Sequence, residues 1–182
     1  MSIDLLRTAA FVAYLAAWVL FALAWLAGIV LKRGVGSALE FPMPVAVGTL
    51  LQGAAAFGLT LMMSGGALRP SVGELVGVLV LAPLGSWLFV WGMFSRPDED
   101  GLVTGGAFGW VRHPMYLAFL LMLLATGLVI SAGWKVGLAV AVYLVGSEMR
   151  VGWEEAALGA RFGERYEEYR KRVRWRYLPG LR

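Results

Sequence analysis

The side chains best suited to chemistry lie in two short segments, and the first holds the only histidine of the chain. It reads GWVRHPMY over residues 109–116, so Arg112 and His113 precede a proline and a long apolar run. Proline is favoured at the first position of a helix because it lacks the N–H group that would be unsatisfied there. Arg112 and His113 would then lie at a helix N-terminus, which favours a carboxylate or another anion. A simpler interpretation is a snorkelling arginine, a capping histidine and an interfacial Tyr116.

The second segment, residues 150–155, carries one arginine and two adjacent glutamates. Arg150 and Glu154 are four residues apart and would share a face of a helix, where a plain salt bridge is the simpler interpretation. Ionisable residues at membrane depth, however, usually face a bundle interior or a watery cavity and have a function. That argument favours a functional Arg150, whereas Glu148 is equally well explained as an interfacial residue at a helix end.

A glycine-rich stretch before the histidine is the third candidate. Residues 104–110 read TGGAFGW, and glycine lets a backbone approach a ligand closely and adopt unusual dihedral angles. We interpret this stretch as a ligand-binding loop. The segment PDEDG over residues 97–101 is interpreted as an ordinary turn. It is not a dinucleotide-binding fingerprint, because the glycine spacing is wrong and no strand precedes it.

Membrane helices have to position these segments. Of the 182 residues, 59% are hydrophobic and 15% are charged. About 20 residues of helix cross the roughly 30 Å hydrocarbon layer, and the sequence has four uncharged runs of about this length. We therefore predict membrane spans at residues 9–31, 45–63, 75–94 and 114–131.

A fifth crossing is shorter. The uncharged stretch 136–147 would cover only about 18 Å. The apolar, helical pattern nevertheless continues from residue 134 to 153, so we predict a fifth span. Lys135 would snorkel outward at one end, and Glu148 and Arg150 would lie within or near the membrane at the other. The predicted fold is an all-α integral membrane bundle of five transmembrane helices with a C-terminal cytoplasmic amphipathic helix.

That last helix has an apolar face and a basic end. Five residues have the spacing of one helix face: Leu158, Phe162, Tyr166, Tyr169 and Val173. The basic residues from 170 to 176 would rest on anionic lipid headgroups. Similar charges would suit a nucleic acid, but lipid is the better partner for a tail held at a bilayer, and we expect no nucleic acid to bind.

Basic residues also predict the orientation. With five spans, the loops that contain Lys32, Arg33 and residues 96–112 share a side with the basic tail. The opposite side has fewer positive charges: Arg7, Arg69 and Lys135. Because cytoplasmic loops carry the excess of Lys and Arg, we predict an outside N-terminus and a cytoplasmic C-terminus.

The length fits a single domain, residues 1–182. We divide it into a three-span scaffold, residues 1–95, and a cofactor-binding and catalytic half, residues 96–182. In the scaffold, the stretch GAAAFG over residues 53–58 and the pair Gly73/Gly77 would give small faces for close helix packing. The chain has no cysteine and one histidine, so a zinc site is improbable and we expect no metal.

The second half of the chain contains three motifs in a fixed order. R-H-P-x-Y occupies residues 112–116, R-x-x-x-E-E occupies 150–155, and an aromatic and basic tail series runs over 158–179. Together they resemble the isoprenylcysteine carboxyl methyltransferase family and its relatives, the phospholipid N-methyltransferases. The first three spans match only as generic membrane helices. Two departures are Ala107, where the family loop usually has proline, and Ala118, where glycine often occurs.

The resemblance implies S-adenosylmethionine as methyl donor and a lipophilic acceptor that enters from the bilayer. It implies catalytic roles for Arg150, as partner of an acceptor carboxylate, and for Glu154. Glu154 and Glu155 would face the cationic parts of the cofactor, and Arg112 or the helix N-terminus its carboxylate. The residues expected to bind the cofactor are Gly106, Phe108, Arg112, His113, Tyr116, Glu154, Glu155 and Tyr166.

The resemblance does not decide the chemical identity of the methyl acceptor. A prenylated cysteine carboxylate, a phospholipid amine, another isoprenoid and a small thiol are all compatible with the resemblance. A carboxylate needs little base, whereas an amine or phenol would need deprotonation by Glu148, Glu154 or His113. Two other functions are a membrane NADPH-dependent reductase related to the sterol reductases and a non-enzymatic channel or assembly protein. The last predicts that Glu154→Ala and His113→Ala leave ligand binding and activity unchanged.

Overall fold

The structure is a computed structural model that describes residues 2–31, 42–61, 70–99, 101–130, 133–178 and 180. Over these residues the regular secondary structure is helical, with one short 3-10 turn at Gly106–Gly109. The helices are α1 Ile3–Leu31, α2 Met43–Leu61, α3 Val72–Met93, α4 Pro114–Val129, α5 Trp134–Phe162 and α6 Glu164–Arg172. Several positions used in the sequence predictions lie outside the described residues: Lys32, Arg33, Met63, Arg69, Ser131 and Pro179.

Three of the described helices are long and apolar enough to cross a membrane: Ile3–Gly28, Val72–Met93 and Trp134–Phe162. Met43–Gly58 and Pro114–Val129 are apolar but shorter. The 16 residues of α4 rise about 24 Å, less than the roughly 30 Å of a hydrocarbon core. The all-helical membrane architecture is therefore confirmed, whereas the five crossings and their orientation stay predictions.

Local signals explain where the helices begin. Helix α3 starts three residues before the predicted span because Ser71 caps it. The Ser71 hydroxyl accepts from the Glu74 N–H at 3.3 Å, and the Glu74 carboxylate accepts from the Ser71 N–H at 2.6 Å. Helix α4 starts at Pro114, as the sequence predicts, with His113 as its N-cap residue.

Helix packing brings the polar segments at the start of α4 and on α5 together. Helix α3 packs between α1 and α4, and α2 packs along α5. The α2–α5 contact is close because two glycines meet: a Cβ at Gly146 would lie 2.6 Å from the Gly48 carbonyl oxygen. The glycines predicted to pack closely are others. Within the predicted small faces, Ala55 is buried and a Cβ at Gly77 would lie 2.6 Å from the Leu128 Cδ1, whereas a Cβ at Gly53, Gly58 or Gly73 would have no heavy atom within 4 Å among the described residues.

The tail is not one continuous amphipathic helix. Gly163, with φ of 54°, separates α5 from the nine-residue α6, and residues 173–178 follow without helix. The apolar face nevertheless forms one cluster, with members Leu102, Phe108, Leu158, Phe162, Tyr166, Tyr169 and Val173. This face therefore covers part of the loop before α4.

Candidate active site

His113 lies between two carboxylates of α5. Its Nδ1 is 3.5 Å from the Glu154 Oε2, and its Nε2 is 3.3 Å from the Glu155 Oε1. The ring is buried, with 6% of the side chain exposed. Because a neutral imidazole has only one N–H, the ring can donate to both carboxylates only when it is doubly protonated.

The charge state of His113 follows from this arrangement. Burial favours the neutral ring, but hydrogen bonds to Glu154 and Glu155 and the charges of these two carboxylates outweigh it. Together they raise the pKa of His113 above its ordinary value of 6.5. The two carboxylates therefore favour the protonated form of the buried ring.

Arg112 and Glu155 form a buried pair that holds the tail. The Arg112 Nε donates to the Glu155 Oε1 at 2.7 Å, and its Nη1 donates to the carbonyl oxygens of Val173 and Arg174, each at 2.8 Å. The Arg112 backbone N–H donates to the Trp175 carbonyl oxygen at 2.9 Å. Arg112 is thus engaged with the protein itself, and it lines a separate open pocket formed by residues of the tail.

Arg150 is held from two helices. Its Nη1 donates to the Gln52 Oε1 of α2 at 2.8 Å, and its Nη2 lies 3.5 Å from the Glu154 Oε1, the pairing expected from the sequence. The guanidinium carbon lies 5.1 Å from the centroid of the Tyr116 ring. The Arg150 Nε is buried and has no hydrogen-bond partner among the described residues. It is therefore a donor that a ligand can use.

Tyr116 completes this arrangement one turn into α4. Its hydroxyl donates to the Glu154 Oε1 at 2.5 Å. Its carbonyl oxygen accepts from the hydroxyl of Tyr143 at 2.7 Å, which ties the first turn of α4 to α5. Tyr116 is therefore fixed at both ends, and its ring is held against Arg150.

These groups meet in one cavity of about 200 Å³, which we call the Tyr116 cavity. Its walls are Gln52, Phe108, His113, Pro114, Met115, Tyr116, Phe119, Arg150 and Glu154. Sites that enclose a whole small molecule usually measure about 300–1,000 Å³, so this cavity suits the reacting end of a larger ligand. It combines one half-buried carboxylate, one guanidinium, one imidazole and three aromatic rings.

The structure brings five of the predicted site residues into the cavity: Phe108, His113, Tyr116, Arg150 and Glu154. Arg112 and Glu155 are not among the described residues that line this cavity; Glu155 contacts His113, and Arg112 pairs with Glu155. Gly106, with φ of 60°, faces the end of α3, since a Cβ there would lie 3.3 Å from the Trp91 Nε1 and 2.6 Å from the Oγ of Ser95, just after that helix. The roles of all these residues in binding and catalysis stay predictions.

Tyr166 lies apart from the Tyr116 cavity, in the apolar cluster under the loop. Its hydroxyl is buried without a hydrogen-bond partner among the described residues. Burial, together with the nearby Glu155 carboxylate, raises the pKa of Tyr166 to about 12. The phenol therefore stays protonated at any physiological pH.

A further set of contacts fixes the tail to α5. The two Glu148 carboxylate oxygens accept from the Tyr177 hydroxyl and the Arg176 Nη1, both at 2.7 Å. The Arg176 Nε also lies 3.4 Å from the Glu155 Oε2. The Glu148 carboxylate, a candidate base in the sequence analysis, thus anchors the tail and is not among the described residues that line the Tyr116 cavity.

Sequence reasoning missed Gln52, which lies in the predicted scaffold. The Gln52 amide nitrogen donates to the Ser147 Oγ at 2.9 Å while its oxygen holds Arg150. A glutamine within an uncharged predicted span was the available signal, because an amide in hydrocarbon needs a polar partner. The division into scaffold and catalytic halves stays a prediction, although one scaffold residue lines the cavity.

Comparisons with known proteins point to one family. The family model described as phospholipid methyltransferase matches residues 53–165, more than half of the chain. The chain is similar to the protein-S-isoprenylcysteine O-methyltransferase of Schizosaccharomyces pombe, at 38% identity over 79 residues, which is 43% of this chain and 34% of that protein. The corresponding Xenopus laevis protein is 35% identical over 80 residues, 43% of this chain and 27% of that protein. The chain thus matches between about a quarter and a third of the length of these relatives.

Proposed function

Since the chain belongs to the phospholipid methyltransferase family, we propose that it transfers a methyl group from S-adenosylmethionine to a lipophilic acceptor at the cytoplasmic face of a membrane. The observation that carries this proposal is the convergence of His113, Tyr116, Arg150 and Glu154 on one cavity. These side chains come from two of the motifs that carry the family resemblance, one at the start of α4 and one on α5. Their meeting is therefore not a consequence of sequence proximity.

The residues of the Tyr116 cavity suit this cofactor. When bound, S-adenosylmethionine supplies an electrophilic methyl group on a cationic sulfur. The Glu154 carboxylate, with 29% of its side chain exposed, would attract the ammonium group of the cofactor, and the rings of Tyr116 and Phe108 offer faces for the cationic sulfur. His113 would hold Glu154 in place from the other side.

The same cavity favours a carboxylate as the acceptor. The buried Arg150 Nε has no partner among the described residues, and Gln52 and Glu154 hold the rest of the guanidinium in place. Arg150 would pair with the acceptor carboxylate and orient one of its oxygens. A carboxylate is already nucleophilic, so transfer would depend on alignment and on the exclusion of water by the apolar walls. An isoprenylcysteine carboxylate, as in the names of the relatives, fits these requirements.

Ligand titration tests the cofactor part of this proposal. S-adenosylhomocysteine, which keeps the ammonium group of the cofactor, should bind the detergent-solubilised protein in calorimetry. Glu154→Gln should weaken its binding by about tenfold or more, as expected for loss of a charged contact of about 1.4 kcal/mol or more with that ammonium group. Glu164→Gln is the matched control, because Glu164 is an exposed acid on α6. Binding of NADPH, with no response to S-adenosylhomocysteine, would instead support a reductase.

Transfer of a radiolabelled methyl group tests the acceptor. We expect label in N-acetyl-S-farnesylcysteine and, with Arg150→Gln, a loss of most of this activity while S-adenosylhomocysteine still binds. Label in phosphatidylethanolamine but not in the farnesylated carboxylate would contradict the carboxylate assignment and leave methyl transfer itself intact.

A further inference from the structure

A second cavity lies beside another face of α4. It is a groove of about 750 Å³ between α3, α4, the loop residues 109–111 and the tail residues 172–175, and we call it the tail groove. Leu117 and Leu121 of α4 line it, whereas Tyr116 and Phe119 line the Tyr116 cavity. The described residues that line the two cavities do not overlap. A ligand in the tail groove would therefore leave the proposed site of methyl transfer free.

The tail groove changes from apolar to basic along its length. Its walls on α3 and α4 are apolar: Leu84, Trp87, Leu88, Leu117 and Leu121. At the other end lie Arg172 and Arg174 of the tail. Two exposed indole rings, Trp110 and Trp175, lie beside the arginines, and tryptophan is typical of the membrane–water interface. This order matches a lipid, with its chain in the hydrocarbon and its headgroup at the interface.

The two arginines of the tail groove are available for an anion. Other tail arginines pair with carboxylates: Arg165 with Asp98, Arg170 with Glu167 and Arg176 with Glu148. Among the described residues, the structure gives Arg172 and Arg174 no carboxylate partner, and both are exposed. None of the described residues that line the tail groove is acidic, whereas Glu154 lines the Tyr116 cavity. Charge complementarity therefore favours an anionic headgroup in the tail groove.

We propose that the tail groove binds one anionic phospholipid, with its phosphate at Arg172 and Arg174 and an acyl chain along α3 and α4. This lipid would also stabilise the residues next to the Tyr116 cavity. The groove wall includes Val173 and Arg174, whose carbonyl oxygens accept from the Arg112 guanidinium. A bound lipid would thus stabilise the segment that holds Arg112 next to His113.

Thermal unfolding of the delipidated protein in neutral detergent tests this proposal. Dioleoylphosphatidylglycerol should raise the Tm in a saturable way. Dioleoylphosphatidylcholine, whose headgroup adds a cation, and glycerol phosphate, which has no chains, should raise it much less. In the double variant Arg172→Gln/Arg174→Gln, the apparent Kd for phosphatidylglycerol should be about tenfold or more weaker, since two charged contacts are lost.

The matched control is Arg161→Gln/Lys171→Gln, which removes the same charge from exposed residues outside the tail groove. Its Kd for phosphatidylglycerol should stay within about twofold of the unmodified protein, because neither contact with the phosphate is lost. Equal weakening in both double variants would overturn the proposal in favour of unspecific adsorption of a basic tail. Equal stabilisation by glycerol phosphate would overturn it in favour of a free-phosphate site. These measurements need neither methyl donor nor acceptor, so their outcome is independent of the proposed function.

Discussion

At the scale of single residues, the tertiary structure gives His113 an environment that its position in the sequence does not predict. The sequence places it at a helix N-terminus, where a capping role would suffice. The structure places it between Glu154 and Glu155, neither of which is near it in sequence. The two carboxylates favour the protonated ring, and the ring in turn fixes Glu154 at the cavity.

This arrangement predicts a pH dependence of stability. Because the pKa of His113 in the folded protein is raised above 6.5, the charged ring contributes stability that is complete below that value. This contribution is lost as the pH rises through the raised pKa. We expect His113→Asn to lower the Tm more at about pH 6 than at about pH 9, measured by thermal unfolding in detergent.

The chain has one histidine, so the difference between the two proteins reports on this ring alone. An equal difference in Tm at every pH would contradict a raised pKa and indicate that His113 contributes only through packing.

At the scale of elements, the α2–α5 contact decides the position of Arg150. Gly48 and Gly146 let the two helices approach, and Gln52, one turn after Gly48, then reaches Arg150. The sequence predicts both helices from their apolar runs. It does not predict which glycine faces which helix, because a helix with small residues on several sides can pack through any of them.

A substitution at this contact has a defined consequence. In Gly146→Ala, the new Cβ would lie 2.6 Å from the backbone oxygen of Gly48, so the helices have to separate. We expect a loss of about 1–3 kcal/mol of stability, typical of overpacking, and a lower rate of methyl transfer because Gln52 moves away from Arg150. Thermal unfolding and the transfer assay measure the two effects.

Gly152→Ala is the control on the same helix, since no heavy atom of the described residues lies within 4 Å of the added methyl group. Alanine is the better helix former, so this variant should be as stable as the unmodified protein or more stable, by up to about 1 kcal/mol. A Gly146→Ala protein with unchanged stability and activity would show that the close contact is unimportant.

At the scale of the whole molecule, the tail returns to the start of α4. The N–H groups of Arg112 and His113 donate to the carbonyl oxygens of Trp175 and Arg176, at 2.9 and 2.7 Å. Glu148 fixes the far end of this segment through Arg176 and Tyr177. The loop before α4, helix α5 and the tail therefore hold one another in position.

Glu148→Ala tests this dependence. Loss of both contacts should loosen the tail, so hydrogen–deuterium exchange should accelerate at the amides of Arg112 and His113 as well as in residues 173–178. The control Glu167→Ala removes a carboxylate that pairs with Arg170 within α6. It should leave the exchange at Arg112 and His113 unchanged. Faster exchange that stays confined to the tail would contradict the coupling.

The sequence by itself determined the membrane helices, the start of α4 at Pro114 and the family resemblance. These features depend on apolar runs and on residues close together in the chain, where hydrophobicity and the missing N–H of proline act locally. Only the tertiary structure decided that Arg112 holds the tail, that Glu148 anchors it and that Gln52 meets Arg150. Each of these contacts joins segments far apart in sequence, and such pairings depend on which helix faces pack together.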